Sequence, residues 1–480
     1  MRDLHMKKGI TSHKVLLCTL LISFALILLT YLGFVFYFSN HFFFHTEING
    51  IDVSCKTAEQ VNEILKEEVS NYSLTIYGRN EVTDSITAQD IMLTYTSNGS
   101  IEDYMEKQNP FLWIVGVFRA DTSTITNSVT YDEQALASLC DSLAFFQKEH
   151  IVAPTNATIA YLENEGYTII NESHGATLKR KAFLNYLHDA IISLESEVTL
   201  DNSGCYKTPA VTSDSEELVA LLEQVKTYTS TELTYQFGKS TVVLDASKIH
   251  KWLKINEKTY KVSIRKNKVQ SFVKKLASTY NTYGGTRNFK ASTGNQVSVS
   301  GGNYGWLLDQ EKETKQIINC IKKGAVKTKK PSYTYTAASH SNKDWGKTYV
   351  EINLTAQHLW FYKKGKLVVE SDFVSGNVSR GDGTPQGVYY LLFRERDAIL
   401  GERSNADYRT PVSFWMPFNR GIGMHDATWR SKFGGTIYQN GGSHGCINLP
   451  YSAAETIFNE IEAGTPVVCY YDPNYESSQS

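Results

Sequence analysis

Two histidines and a cysteine gather in the glycine-rich stretches Gly423-Met424-His425-Asp426 and Ser443-His444-Gly445-Cys446-Ile447-Asn448. Thiolate is the nucleophilic form of cysteine. With an ordinary pKa of about 8.5, little of it exists at neutral pH unless a histidine takes the proton. Either His425 or His444 could be that base. His444 stands two residues before Cys446, so in a strand both side chains would share a face, whereas His425 has to be brought in by folding. Gly445 lets the backbone pass close to a substrate carbonyl. The amides of Gly445 and Cys446 are natural donors to an oxyanion, and one such donor is typically worth roughly 10²–10³ in rate. The chemistry these residue types fit is acyl transfer through a thioester on Cys446.

Other readings of the same residues fit less well. Cys446 as a buried structural thiol, the role expected of Cys469, would suit an apolar strand, but Gly442 to Gly445 is neither apolar nor good strand sequence. A zinc site built from His425, His444 and Cys446 with Cys469 or Asp426 lacks the short paired spacings typical of zinc ligands. No metal and no organic cofactor is expected. Both histidines are flanked by glycine and polar groups, which disfavours a purely structural core role.

The segment around these residues reads as a mainly β domain over 347–471. Tyr349 to Leu354 alternates, and Leu359 to Tyr362 and Leu367 to Val374 flank a Lys363-Lys364-Gly365-Lys366 hairpin turn. Gly387 to Phe393 continues the strand pattern. Ala453 to Ile461 reads as a helix before a closing strand at Pro466 to Tyr471, and residues 472–480 read as a frayed tail.

Upstream, at about 150 residues per domain, a 480-residue chain calls for roughly three folded units. Residues 45–150 read as an α+β module, with an Asn49-Gly50 turn, a helix from Thr57 to Val69, strands at Leu74 to Tyr77 and Ile91 to Tyr95, and a helix over Tyr131 to Phe146. Residues 153–333 read as a second α+β module. Tyr167-Thr168-Ile169-Ile170 before Gly175 and a helix over 178–192 has the rhythm of Tyr304-Gly305-Trp306-Leu307-Leu308 before a helix over 311–321, which points to an internal duplication. Residues 322–346, polar and lysine-bearing, read as a linker.

Val15 to Phe38 is 24 residues without a charge, about 36 Å as a helix against a hydrocarbon core of about 30 Å. It is longer than a signal-peptide core and no small-x-small site follows it, so a transmembrane anchor is expected. Arg2, Lys7, Lys8 and Lys14 precede it, while His41 to Gly50 has no Lys or Arg. The positive-inside rule therefore puts residues 1–14 in the cytoplasm and the rest outside, in a single-pass protein of the cell membrane. A formal net charge of -2 gives no electrostatic case for nucleic acid. The seven cysteines, at 18, 55, 140, 205, 320, 446 and 469, form no dense disulfide framework.

The spacing of His425, then 17 residues, then Ser443-His444-Gly445-Cys446-Ile447-Asn448, resembles the signature of the L,D-transpeptidase catalytic domain. Gln357-His358-Leu359, Gly376-Asn377, Thr384-Pro385-Gln386-Gly387 and Trp415-Met416-Pro417-Phe418 extend the likeness over about 347–471. Ile48 to Ser54 and Gly301 to Trp306 resemble peptidoglycan-binding-type modules of Gram-positive bacteria, with Cys55 standing where glycine is expected. The resemblance implies a β-sandwich catalytic domain facing the wall. It also implies formation of 3→3 cross-links through a thioester on a tetrapeptide stem, with loss of D-Ala. Carried over, Cys446 is the nucleophile and His425 the proton donor and acceptor, oriented by the Asp426 main chain. His444 and Ser443 act on the oxyanion side with the Gly445 amide, and Tyr438, Trp429 and Asn448 bind substrate. The partners implied are a donor stem and an acceptor amine of peptidoglycan. An L,D-carboxypeptidase using the same acyl-enzyme and a non-catalytic wall-binding scaffold are the competing functions.

Overall fold

The computed structural model describes residues 3–125, 129–401 and 409–475, with side chains from residue 13 onward. Arg2 and the side chains of Lys7 and Lys8, on which the expected orientation partly rests, lie outside the described residues. The chain divides into two compact units, Met1–Thr158 with Ile170–Ser215, and Ile159–Ile169 with Glu216–Ser480.

The first unit opens with helix α1 (Asp3–Tyr37). From His13 to Tyr37 it is long and apolar enough to cross a membrane, and its apolar side chains are open to the surroundings. Strand β1 (Thr46–Ile48) leads into the Asn49-Gly50 turn, where both residues take a left-handed φ. Cys55 also has φ +59°, so it adopts the backbone that glycine adopts without strain. Helix α2 (Ala58–Ser70) starts in a reciprocal cap: Gln60 N–H donates to Thr57 Oγ1 at 3.2 Å, and Thr57 N–H donates to Gln60 Oε1 at 3.0 Å. Its buried face is Val61, Leu65 and Val69, the i, i+4 spacing of an amphipathic helix.

Strands β2 (Ser73–Tyr77) and β3 (Thr83–Thr87) form a hairpin. The helix expected over Tyr131 to Phe146 is confined to Glu133–Leu139, capped by Asp132, and is followed by turns. Short helix α3 (Trp113–Phe118) and strand β4 (Asp121–Ser123) intervene, the latter parallel to β1. Helix α4 (Arg180–Ile192) and strand β5 (Glu197–Thr199) complete the sheet, with β5 parallel to β2. Phe183, Leu187 and Ile191 of α4 share one core with Leu74, Ile76 and Ile86. The module boundary expected at 153 is therefore displaced: residues 170–215 belong to the first unit, because β2 needs β5 as its third strand.

The second unit repeats this plan. Helix α5 (Glu216–Thr229), hairpin β6 (Glu232–Phe237) and β7 (Ser240–Leu244), helices α6 (Lys266–Tyr280) and α7 (Gln310–Lys322), and strand β10 (Val326–Lys329) place β10 parallel to β6. Between the helices, β8 (Arg287–Lys290) and β9 (Gln296–Val299) form a further hairpin. The duplication is one module in each unit, not two halves of 153–333.

The linker expected at 322–346 is folded. β10 is an edge strand in which Lys327 is exposed but Lys329 is tucked in, its ammonium 2.8 Å from the buried Glu313 carboxylate. Asp344 is buried in an ion pair with Arg287 at 2.8 Å, while the Arg287 guanidinium also donates to the carbonyls of Thr282, Gly285 and Tyr304. The polar sequence hid a polar core.

The C-terminal domain is sheet-rich, two sheets packed on a common core. One contains β11 (Tyr349–Asn353), β12 (His358–Lys363), β13 (Lys366–Asp372), β14 (Gly387–Tyr390) and, at the end of the chain, β19 (Pro466–Tyr470), in the order β13-β12-β11-β19-β14. The other runs β15 (Glu395–Leu400), β16 (Thr410–Asn419), β17 (Ile422–Asp426), β18 (Ile447–Leu449). Short helix α8 (Ile437–Gly441) precedes β18, and α9 (Tyr451–Glu460) buries Ala454, Ile457 and Phe458 in the core with Val350, Phe361, Phe414 and Met424. Residues 472–475, expected to fray, are held: Asp472 is buried and accepts from Asn295 Nδ2 at 3.0 Å, and its N–H donates to Thr355 Oγ1. Residues 476–480 lie outside the described residues.

Candidate active site

The site is built where β17 and β18 run side by side. They pair in parallel with Met424 opposite Ile447 and His425 opposite Asn448. Paired residues of adjacent strands share a face, and alternate residues of one strand share it too. Cys446, immediately before β18 and two residues from Asn448, thus lies on the same side as His425. Folding supplies the placement that sequence spacing could not: His425 and Cys446 share a face and a cleft, and of the two histidines it is His425 that is buried. His425 is 2% exposed, whereas His444 sits exposed in the loop before Cys446.

Gly423 is one residue back along β17 from the Met424–Ile447 pair and so faces Cys446, and its N–H donates to the sulfur. The thiol in turn points at the Gly421 carbonyl, 3.7 Å away. A side chain at Gly423 would lie 2.7 Å from Met416 O and from the Trp415 ring, so that position tolerates only glycine.

His425 Nδ1 is 2.8 Å from the Asp426 main-chain oxygen. The carbonyl can only accept, so Nδ1 carries the proton and Nε2 is left with its lone pair. Burial holds the imidazole well below its ordinary range, to about 4, against the opposing pull of the Asp426 carbonyl and carboxylate. Burial likewise pushes the Cys446 thiol up to about 11. At neutral pH the site therefore holds a neutral thiol and a neutral imidazole. The Asp426 carboxylate is occupied elsewhere, accepting from the Ser413 and Phe414 amides at 2.8 and 2.9 Å, which ties β17 to β16.

Ser443 Oγ donates to the Cys446 carbonyl at 2.6 Å and accepts from the Gly445 N–H at 3.1 Å. The Gly445 amide, expected as an oxyanion donor, is thus spent on closing its own turn, which Gly445 makes at φ +112°. The loop is braced from behind by Thr384, whose hydroxyl donates to the Gly445 carbonyl at 2.7 Å and accepts from the Gly376 N–H at 3.1 Å. A Cβ on Gly376 would lie 2.8 Å from Gly445 Cα. Gln357 supports the same region through Ser375.

A cleft of about 410 Å³ opens over these groups, lined by Leu400, Thr410, His425, Trp429, Arg430, Gly442, Ser443, His444, Cys446 and Asn448. Trp429, 51% exposed, leans its ring to 5.9 Å from that of His425. Tyr438, in α8, is half-buried and not part of this lining.

Arg430 was missed by the sequence reading, although it directly follows Trp429. One of its Nη atoms donates to the Gly441 carbonyl at 2.9 Å, its Nε is buried with no partner among the described residues, and burial lowers its pKa. Asn448 Oδ1, on the same cleft, is also buried with no partner among the described residues. As for a zinc set, Cys469 lies within β19 of the other sheet and the Asp426 carboxylate is already bonded to amides, so neither completes a tetrahedron with Cys446.

Residues 347–469 match the family model of the L,D-transpeptidase catalytic domain. Residues 85–199 and 211–328 each match that of a putative peptidoglycan binding domain. A probable L,D-transpeptidase 3 of Mycobacterium tuberculosis is 30% identical over 98 residues, covering 18% of this chain and 33% of the relative, so the chain spans about a third of the length of that curated protein. A crystal structure of a cysteine-to-serine mutant of an Enterococcus faecium L,D-transpeptidase is 33% identical, covers 52% of this chain and 99% of that one, and has a TM-score of 0.45. The catalytic domain of the E. faecium enzyme acylated by ertapenem is 42% identical and covers 26% of this chain and 98% of that one, with a TM-score of 0.24. By these family models, the chain carries a C-terminal catalytic domain of the L,D-transpeptidase family preceded by two putative peptidoglycan binding domains.

Proposed function

We propose that this chain is a peptidoglycan L,D-transpeptidase that makes 3→3 cross-links through a Cys446 thioester. The observation that carries the reading is the placement of Cys446 and His425 on one face of adjacent strands, with the histidine tautomer fixed by the Asp426 carbonyl. His425 Nε2 takes the thiol proton as the sulfur attacks the carbonyl of the third, L-centred stem residue. The same nitrogen returns that proton to the departing D-Ala amine, leaving a thioester. A side-chain amine of a second stem then attacks, gives its proton to His425, and releases Cys446 as a new amide forms. The Cys446 amide and His444 stabilise the oxyanion, while Ser443 holds the loop in shape.

Arg430 and Asn448 give the donor side its selectivity. A guanidinium with a free buried N–H suits the carboxylate of the terminal D-Ala, one residue beyond the scissile bond. The Asn448 carbonyl suits a stem amide N–H. Each unpaired group has a cost that a ligand removes. Trp429 forms one wall, and we assign Tyr438 to the outer approach of the acceptor.

We further propose that α1 anchors the chain in the cell membrane with its N-terminus in the cytoplasm. The modules then confine the catalytic domain to a thin shell beneath the wall and raise its effective concentration there.

The test is incubation of the chain with a disaccharide-tetrapeptide, alongside Cys446→Ala. A dimer short of one D-Ala, absent from the variant, supports the proposal. A monomer trimmed by one D-Ala would mean water resolves the thioester, as in an L,D-carboxypeptidase. No product would favour a wall-binding scaffold.

A further inference from the structure

The first unit carries a second apolar surface that the catalytic reading does not use. Residues 110–118 read PFLWIVGVF, without a charge, and follow Lys107 and precede Arg119. In a water-facing module such a run would be buried. Here Phe111, Leu112, Ile114, Val115, Val117 and Phe118 are exposed, Phe118 to 85%. A contiguous apolar patch of this kind marks a contact surface.

The segment is held at both ends and packs on α1 between them. Gln108 Oε1 accepts from the Phe43 N–H at 3.1 Å, and its Nε2 donates to the Phe38 and His41 carbonyls at 3.0 and 2.8 Å, locking the segment to the end of the apolar helix. At the far end β4 pairs with β1. Between them, Trp113 packs on Phe34 with ring centroids 4.5 Å apart. Tyr31 OH donates to the Phe111 carbonyl at 2.7 Å, satisfying a backbone oxygen that hydrocarbon could not. α3 lies so close to Phe43 that a Cβ on Gly116 would be 2.8 Å from Phe43 Cβ. Trp113 and Ile114 also share a groove with Leu26, Ile27 and Thr30. Those residues lie about 10–17 Å along the helix from its Tyr37 end at 1.5 Å per residue, against about 15 Å for half a hydrocarbon core.

We infer that residues 110–118 are a second membrane-contacting element, inserted among phospholipid acyl chains of the outer leaflet beside α1, with Lys107 and Arg119 at the headgroup level. This rests on α1 spanning a bilayer and is independent of the catalytic proposal. The occupant is lipid because the patch is continuous with the lipid-facing surface of α1 and lies at the same depth. A protein held at two points keeps one orientation at the surface instead of pivoting on a single helix.

The test uses the full chain in phosphatidylcholine–phosphatidylglycerol vesicles doped with a lipid carrying a diazirine on its acyl chain, irradiated, digested and mapped by mass spectrometry. Lipid adducts are expected on residues 110–118 as well as on 13–37. Leu112→Glu with Phe118→Glu should lose the former and keep the latter. Adducts confined to 13–37 overturn the inference, as do adducts on neither segment. Protein–protein cross-links at 110–118 in place of lipid would assign the patch to a second chain and also overturn it.

Discussion

His425 Nδ1 lies 2.8 Å from the main-chain oxygen of its neighbour Asp426, a contact that sets the tautomer, while burial of the ring, against the pull of that contact, lowers its titration. With the imidazole held to about 4 and the thiol pushed to about 11, the neutral pair persists across the ordinary pH range. Acylation of Cys446 by the tetrapeptide donor should be flat through neutral pH and fall only as pH drops through about 4, where His425 takes its proton. A stopped-flow profile with its midpoint near 6.5 would contradict this.

The same shift has a consequence for stability. The unfolded chain binds the His425 proton near pH 6.5 and the folded chain only near 4. Stability from this group is therefore complete above about 6.5 and is lost as pH falls toward 4, by roughly 3 kcal/mol. His425→Gln should flatten that part of the pH dependence of the denaturant midpoint, and an unchanged slope would count against a neutral buried imidazole.

Ser443 tests how the loop is held. Its hydroxyl joins the Cys446 carbonyl to the Gly445 N–H. Ser443→Ala strands both and should lower acylation by the tetrapeptide donor by about tenfold to a hundredfold, for a loss of about 1–3 kcal/mol. Wild-type rates in a correctly folded variant would show that the turn holds without it.

Arg430→Gln should leave acylation by a donor whose terminal carboxylate is amidated within a few-fold but lower kcat/KM for the free-acid tetrapeptide donor by about tenfold to a hundredfold, the scale of one charge-assisted hydrogen bond. Equal losses on both substrates would make Arg430 a structural residue instead.

The candidate site was legible in the sequence because most of it is local: Ser443 to Asn448 are contiguous, and only His425 arrives from elsewhere. What spacing alone could not decide was which histidine joins the thiol, since that depends on the register of β17 against β18. Arg430 was invisible because a lone basic residue after Trp429 announces nothing until a cleft forms over it. The region 322–346 misread as a linker for a related reason. Asp344 is polar in sequence but buried because Arg287, 57 residues away, meets it.

That pair makes its own prediction. Arg287→Ala leaves the Asp344 carboxylate buried and unpaired and should destabilise the second unit by about 3–5 kcal/mol in denaturant titration. A change below about 1 kcal/mol would mean water reaches Asp344.

The central claim is the acyl-enzyme on Cys446. The most direct measurement is intact and peptide-level mass spectrometry of the chain quenched in acid during turnover of a disaccharide-tetrapeptide. The account predicts a mass gain equal to the donor less D-Ala, on the peptide that contains Cys446, released by hydroxylamine. No adduct under turnover, or an adduct on any other residue, would contradict it.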